Sequence, residues 1–119
     1  LLHEAMDRGI PVACASDNVR DAFYAWGDYD LLEVFQQSVR IGHLDTRLAA
    51  APAVVTTGPA DVMGLPDHGR VAPGAVSSLV VTSATTFNEL LARPAAPRRL
   101  VRGGRLITPE PPDYARLRA

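Results

Sequence analysis

Leu1-Leu-His-Glu-Ala-Met-Asp-Arg8, then Gly9, then Ile10-Pro-Val-Ala-Cys-Ala-Ser16-Asp17 is the stretch from which the fold is read. Leu1, Leu2, Ala5 and Met6 fall on one face at helical spacing, and His3, Glu4, Asp7 and Arg8 on the other. Residues 1–8 therefore read as the end of an amphipathic helix. Gly9 stands where a left-handed C-terminal cap belongs, because glycine takes that conformation without a steric penalty. Residues 10–16 are short, apolar and uninterrupted, as in a strand covered on both faces, and such strands are usually parallel. A helix that ends in glycine and feeds a covered strand is half of a βαβ unit, so the class is α/β. The other half belongs before Leu1, which no Met precedes, and the expectation is a piece of a longer fold.

Downstream, residues 17–28 form a polar and aromatic loop without regular period, carrying Phe23, Tyr24 and Trp26. Asp30 is placed to cap a helix, with Glu33 three residues on to close a capping box and Leu32, Phe35 and Val39 as the buried stripe. Gly42 ends that helix. Asp45 is placed to cap a second one through Leu48 and Ala51; Pro52 breaks it, residues 53–57 continue as helix, and 59–63 make one more turn closed by Gly64. From Leu65 the composition shifts to Gly, Pro and β-branched residues. Residues 76–82 read as a strand, and Thr86 with Glu89 opens a short helix that ends before Pro94. Residues 98–101 and 105–108 read as two strands around Gly103-Gly104, a two-residue hairpin signal, and the tail after Pro109 reads as extended. The division falls between residues 1–64 and 65–119.

The 119 residues carry 12 basic side chains, all arginine, and 13 acidic ones, for a formal net charge of −1. With 47% hydrophobic and 21% charged residues this is an ordinary globular balance, and the arginines are scattered among carboxylates except for Arg98, Arg99, Arg102 and Arg105. That group reads as a solvated face, and nothing has the basic footprint of a nucleic-acid partner. No apolar run spans a bilayer and no leader pattern opens the chain, which disfavours a membrane protein and a secreted precursor. The single Cys14 forms no internal disulfide and reads as a small packing residue, which fits a reducing, cytoplasmic compartment.

Gly9-Ile-Pro-Val-Ala-Cys-Ala-Ser-Asp17-Asn-Val-Arg-Asp21-Ala-Phe-Tyr24-Ala-Trp-Gly27-Asp resembles the last barrel strand and following loop of cytosine deaminase-like metal-dependent amidohydrolases. Gly69-Arg-Val-Ala-Pro-Gly74, the strand around 78–81 and Leu100-Val-Arg-Gly-Gly-Arg-Leu-Ile107 resemble that family's C-terminal segment, so the similarity runs collinearly over about residues 1 to 108. Ala22 stands where the family pattern has proline, and Ala75-Val-Ser-Ser78 where it commonly has Ala-Asp. The resemblance implies that residues 1–64 are the last strand and following helices of a (β/α)8 TIM-like barrel. Residues 65–119 would then be strands of a small composite β-domain with its tail.

Catalytic groups of such barrels sit at the C-terminal ends of the strands, which is where Asp17 stands. The resemblance makes Asp17 the metal-proximal carboxylate that takes a proton from the attacking water and passes it to the leaving amine. It places Asn18 and Phe23 against the substrate ring, Asn18 as a hydrogen-bond partner and Phe23 as a flat wall. The implied activity is hydrolysis of a non-peptide C–N bond, deaminating cytosine or a related cyclic amidine. The implied cofactor is a divalent metal, Fe2+ or Zn2+. The implied partners are a small heterocyclic substrate, the missing N-terminal part of the same fold, and further copies in a homo-oligomer.

The family's His-x-His, two later histidines and proton-shuttling glutamate have no counterpart in these 119 residues, so the expectation is a chain inactive alone. His3, His43 and His68 are not spaced to replace them and read as surface residues. Asp21 reads equally as a loop-shaping acceptor and as a functional group, and Tyr24 and Trp26 read as core. Taken without the resemblance, Asp17 reads as a turn cap. The competing class is a non-catalytic small α/β domain, or a subunit that completes a barrel with another chain.

Overall fold

Helix α1 (Leu2–Asp7) ends as its glycine requires. Gly9 takes a φ of +68°, its N–H donates to the Met6 carbonyl at 3.0 Å, and the Ile10 N–H reaches back to the Ala5 carbonyl at 2.9 Å. These two bonds are the Schellman arrangement, which satisfies carbonyls left over at the helix end. The computed structural model describes residues 1–94 and 96–108. The tail expected to be extended after Pro109 lies outside the described residues.

Residues 10–16 carry no strand ladder, contrary to expectation. Exposure nevertheless alternates with a period of two: Val12, Cys14, Ser16 and Asn18 are half-buried, and Pro11, Ala13, Ala15 and Asp17 are exposed. That is an extended chain with one face on the helices and the other uncovered, rather than covered on both. A ladder needs a neighbouring strand to take the backbone groups, and none lies alongside among the described residues. The Cys14 N–H instead donates to the Val54 carbonyl at 2.8 Å.

Helix α2 (Leu31–Gly42) buries Phe35 and Val39, with Leu32 packed at the edge of the same cluster. Asp30 caps it, its Oδ1 accepting the Leu32 N–H at 2.9 Å. Glu33 does not close the capping box. Asp28 does the second half of that work, accepting the Asp30 N–H at 2.9 Å, since a short side chain two residues back reaches it in an Asx-type turn. At the other end the left-handed residue is His43, at φ +54°, and not Gly42. A Cβ at Gly42 would stand 2.7 Å from Cδ2 of Leu2, the rotatable end of a side chain on α1. His3 Nε2 lies 2.9 Å from the Gly42 carbonyl and Arg47 forks onto Asp7 at 2.6 and 3.0 Å, so both polar sides of α1 are tied down.

After His43 the chain runs through two 3₁₀ turns, Leu44–Arg47 and Ala51–Val55, and then α3 (Thr57–Val62). Asp45 caps nothing, because the first turn starts one residue earlier, directly from the left-handed His43. Pro52 sits in the opening turn of the second segment, where its missing N–H is harmless. Leu44, Ala51 and Val54 from these turns join Phe35 and Val39 in one buried cluster, with Leu2, Met6, Val12, Cys14, Leu90 and Leu91 packed around it. Cys14 is thus the packing residue expected.

The C-terminal part is a three-stranded antiparallel sheet in the order β1 (Leu79–Thr82), β2 (Arg98–Arg102), β3 (Arg105–Ile107), with α4 (Phe87–Ala92) between the first two strands. Val80 faces Leu100, and Leu100 faces Ile107. Strand β1 starts at Leu79 rather than 76, since the Val76 N–H is taken by the Asp67 carbonyl at 2.8 Å. Thr86 caps α4 as expected, accepting the Glu89 N–H at 3.2 Å, while Glu89 accepts from the N–H and hydroxyl of Thr85. Gly103 and Gly104, at φ +55° and +78°, make the primed turn that matches strand twist. Gln36 Nε2 donates to the Leu91 carbonyl at 2.6 Å and fastens α4 to α2. Among the described residues no helix is long and apolar enough to cross a membrane.

Candidate functional site

The extended segment delivers Asp17 and Asn18 to its end, the first exposed and the second half-buried. Asp17 is exposed on the uncovered face and holds a left-handed φ of +58°, a conformation that aspartate tolerates better than most residues. Asn18, half-buried, lines an open groove of about 480 Å³ together with Ser16, Tyr24, Asp28, Gln37 and Ser38. Phe23 is outside that groove and is 87% exposed. Sequence reasoning placed these three residues in one neighbourhood; the fold gives them three different settings.

The loop between them is held by its own backbone. The Arg20 N–H donates to the Trp26 carbonyl at 3.2 Å and Arg20 Nε to the Gly27 carbonyl at 2.8 Å, which closes the base. Inside, the Asp21 N–H donates to the Tyr24 carbonyl at 3.0 Å, and Asp21 Oδ1 accepts the N–H groups of Phe23 and Tyr24, both at 2.9 Å. Asp21 therefore shapes the loop. Tyr24 and Trp26 are not core: they are 51% and 71% exposed, and their rings meet edge to face at 5.7 Å.

The loop leads into Asp30, which does more than cap α2. Arg98 of β2 forks onto both of its oxygens, 68 residues away in sequence, and the pair is only 27% and 18% exposed. Arg98 is thus not on a solvated face, as expected for the arginine group, although Arg99, Arg102 and Arg105 are exposed. Burial pushes the Asp30 carboxyl up, but the Arg98 guanidinium and the Leu32 and Glu33 N–H groups outweigh it and hold the carboxyl below the ordinary aspartate range. The same bond raises Arg98. No local pattern announces a pair this far apart; the Asp28-x-Asp30 spacing was the one legible hint of a doubled cap.

The described residues do not by themselves fit a divalent cation. No group of three or more His, Cys, Asp and Glu converges among them. His3 is turned to the Gly42 carbonyl, His43 occupies the left-handed cap, and His68 is exposed in a bend, so Asp17 stands as a single carboxylate donor.

The sequence profile of the amidohydrolase family matches residues 2–108. A pterin deaminase of Rhizobium rhizogenes (strain K84 / ATCC BAA-868) is 50% identical over 117 residues, which is 98% of this chain and 27% of that protein. The crystal structure of 5-methylcytosine deaminase from Klebsiella pneumoniae, liganded with phosphonocytosine, superposes with a TM-score of 0.75 at 25% identity, over 92% of this chain and 27% of that one. The chain thus spans about a quarter of the length of each relative, 27% in both cases.

Proposed function

Because the chain belongs to the amidohydrolase family, we propose that it forms the closing part of a deaminase that hydrolyses an exocyclic C–N bond on a nitrogen heterocycle. Residues 1–64 supply the last strand and following helices of a (β/α)8 barrel, and residues 65–119 belong to a small β-domain beside it. The exposed face of 10–17 is the face that the remaining strands cover. A pterin-like fused ring is favoured over cytosine, since the pterin deaminase matches at 50% identity and the 5-methylcytosine deaminase at 25%.

The observation that supports this reading is the setting of Asp17: an exposed carboxylate, directly after an extended segment, on the side away from the helical cluster. In the reaction, water adds to the ring carbon that bears the amino group, a C–O bond forms, and the C–N bond breaks to release ammonia. The Asp17 carboxylate accepts a proton from the water and gives it to the departing nitrogen, ending as it began. Asn18 offers a hydrogen bond to the ring and Phe23 a flat apolar wall. A divalent cation such as Fe2+ or Zn2+ would draw its other ligands from polypeptide beyond these residues and would acidify the attacking water. These residues alone do not turn over substrate.

The test is ammonia release from pterin and from cytosine by the native enzyme that contains this chain, wild type beside Asp17→Asn. Pterin is the better substrate, and the substitution lowers kcat by about 10²- to 10⁴-fold. Near-normal turnover by the variant removes Asp17 from the chemistry, and a preference for cytosine reverses the substrate assignment.

A further inference from the structure

Phe23 has an unusual support for a residue assigned to a substrate wall. Its side chain is 87% exposed, so no packing from the described residues fixes where the ring stands. What holds it is the backbone of residues 21–24, and that backbone is organised by one side chain. Asp21 Oδ1 accepts the N–H of Phe23 and the N–H of Tyr24, each at 2.9 Å, while the Asp21 N–H binds the Tyr24 carbonyl at 3.0 Å. Ala22, lying inside this turn, has no ring to set its φ, so its freedom is restrained by those bonds. Bonds to an ionised acceptor are the stronger kind. The closed base, from Arg20 to Trp26 and Gly27, anchors the turn to the rest of the loop.

We infer that Asp21 is a positioning residue for the deamination, acting through Phe23: it aims the aromatic wall and does not touch the substrate. This rests on the assignment of Phe23 proposed above. An orienting role of this kind changes how well the ring is bound more than how fast the bond is cut.

The experiment is a double-substitution cycle in the native enzyme, with KM and kcat measured for pterin. Asp21→Ala raises KM about tenfold, the size of one charge-assisted hydrogen bond, with kcat within about twofold. Asp21→Asn, whose amide oxygen accepts the same two N–H groups, recovers most of the loss. Phe23→Ala raises KM as well, and the double variant is no worse than Phe23→Ala alone. Because the loop buries no side chain, the unfolding midpoint of Asp21→Ala stays at the wild-type value. Effects that multiply in the double variant, or a KM untouched by Asp21→Ala, overturn the inference. If Phe23→Ala leaves KM unchanged, the wall assignment fails and the inference falls with it. If Asp17→Asn stays active while the cycle holds, the role of Asp17 fails and that of Asp21 stands.

Discussion

Two stretches of this chain solve opposite problems. Residues 31–62 contain every buried residue among the described residues: Phe35, Val39, Leu44, Ala51, Val54 and Ala60. Residues 10–29 contain none, yet they carry Asp17, Asn18, Asp21 and Phe23. The first stretch keeps its shape by excluding water. The second keeps its shape by satisfying its own backbone and by leaning one face on the first. Side chains that form the buried cluster and side chains proposed to serve the reaction are thus separated along the sequence, and substitutions in the two stretches should damage different properties.

The hardest blow to this division is Leu44→Ala. Leu44 is 0% exposed at the centre of the cluster, and its truncation costs about 2.7–5 kcal/mol, read from the urea midpoint by far-ultraviolet circular dichroism. Phe23→Ala leaves that midpoint in place. Equal losses from the two would erase the distinction.

Gly58→Ala tests the seam between the stretches. A Cβ there would fall 2.3 Å from the Val12 carbonyl oxygen and 2.7 Å from that of Ala53, both backbone atoms that cannot rotate away. The expected cost is about 1–3 kcal/mol, together with lower activity as the segment that presents Asp17 is pushed off the helices. A variant with full stability would mean that the segment floats.

Smaller effects come from the tie between α2 and the sheet. Arg98→Ala should cost about 1 kcal/mol, and the adjacent Arg99→Ala, on the exposed side of β2, less than about 0.5 kcal/mol. Acid sharpens the contrast. The folded Asp30 carboxyl lies below its ordinary value of 3.8, so its contribution is complete above that value and disappears as pH falls through the lower folded one. Asp30→Asn should therefore lower stability near neutral pH and flatten the acid side of the unfolding profile. Parallel profiles for the variant and wild type would show that the pair carries no stability.

What could be read from residues alone was what is decided within one turn of the chain. Gly9 as a left-handed cap, Asp30 and Thr86 as N-caps, the Phe35 and Val39 stripe, and the Gly103-Gly104 hairpin all depend on neighbours four or fewer residues away. The misses depend on distance. Residues 10–16 have the composition of a covered strand, but a ladder is a property of two strands, and nothing local supplies the second. Nothing local marks Gly58, yet its smallness answers to the Val12 backbone, far away in sequence. The partnership of Arg98 with Asp30 was invisible for the same reason. At the candidate site the exposure of each residue was not legible, because whether a side chain of an extended segment is covered depends on helices that come later in the sequence.

The left-handed backbone at Asp17 has a consequence for how such a sequence changes under selection. A residue with a side chain at φ +58° costs of the order of 1 kcal/mol relative to glycine. Thermal screening of random variants would accordingly enrich Asp17→Gly, a more robust fold without the carboxylate proposed to accept a proton. A library selected for the proposed turnover should keep aspartate at residue 17, and one selected for thermal endurance alone should drift toward glycine.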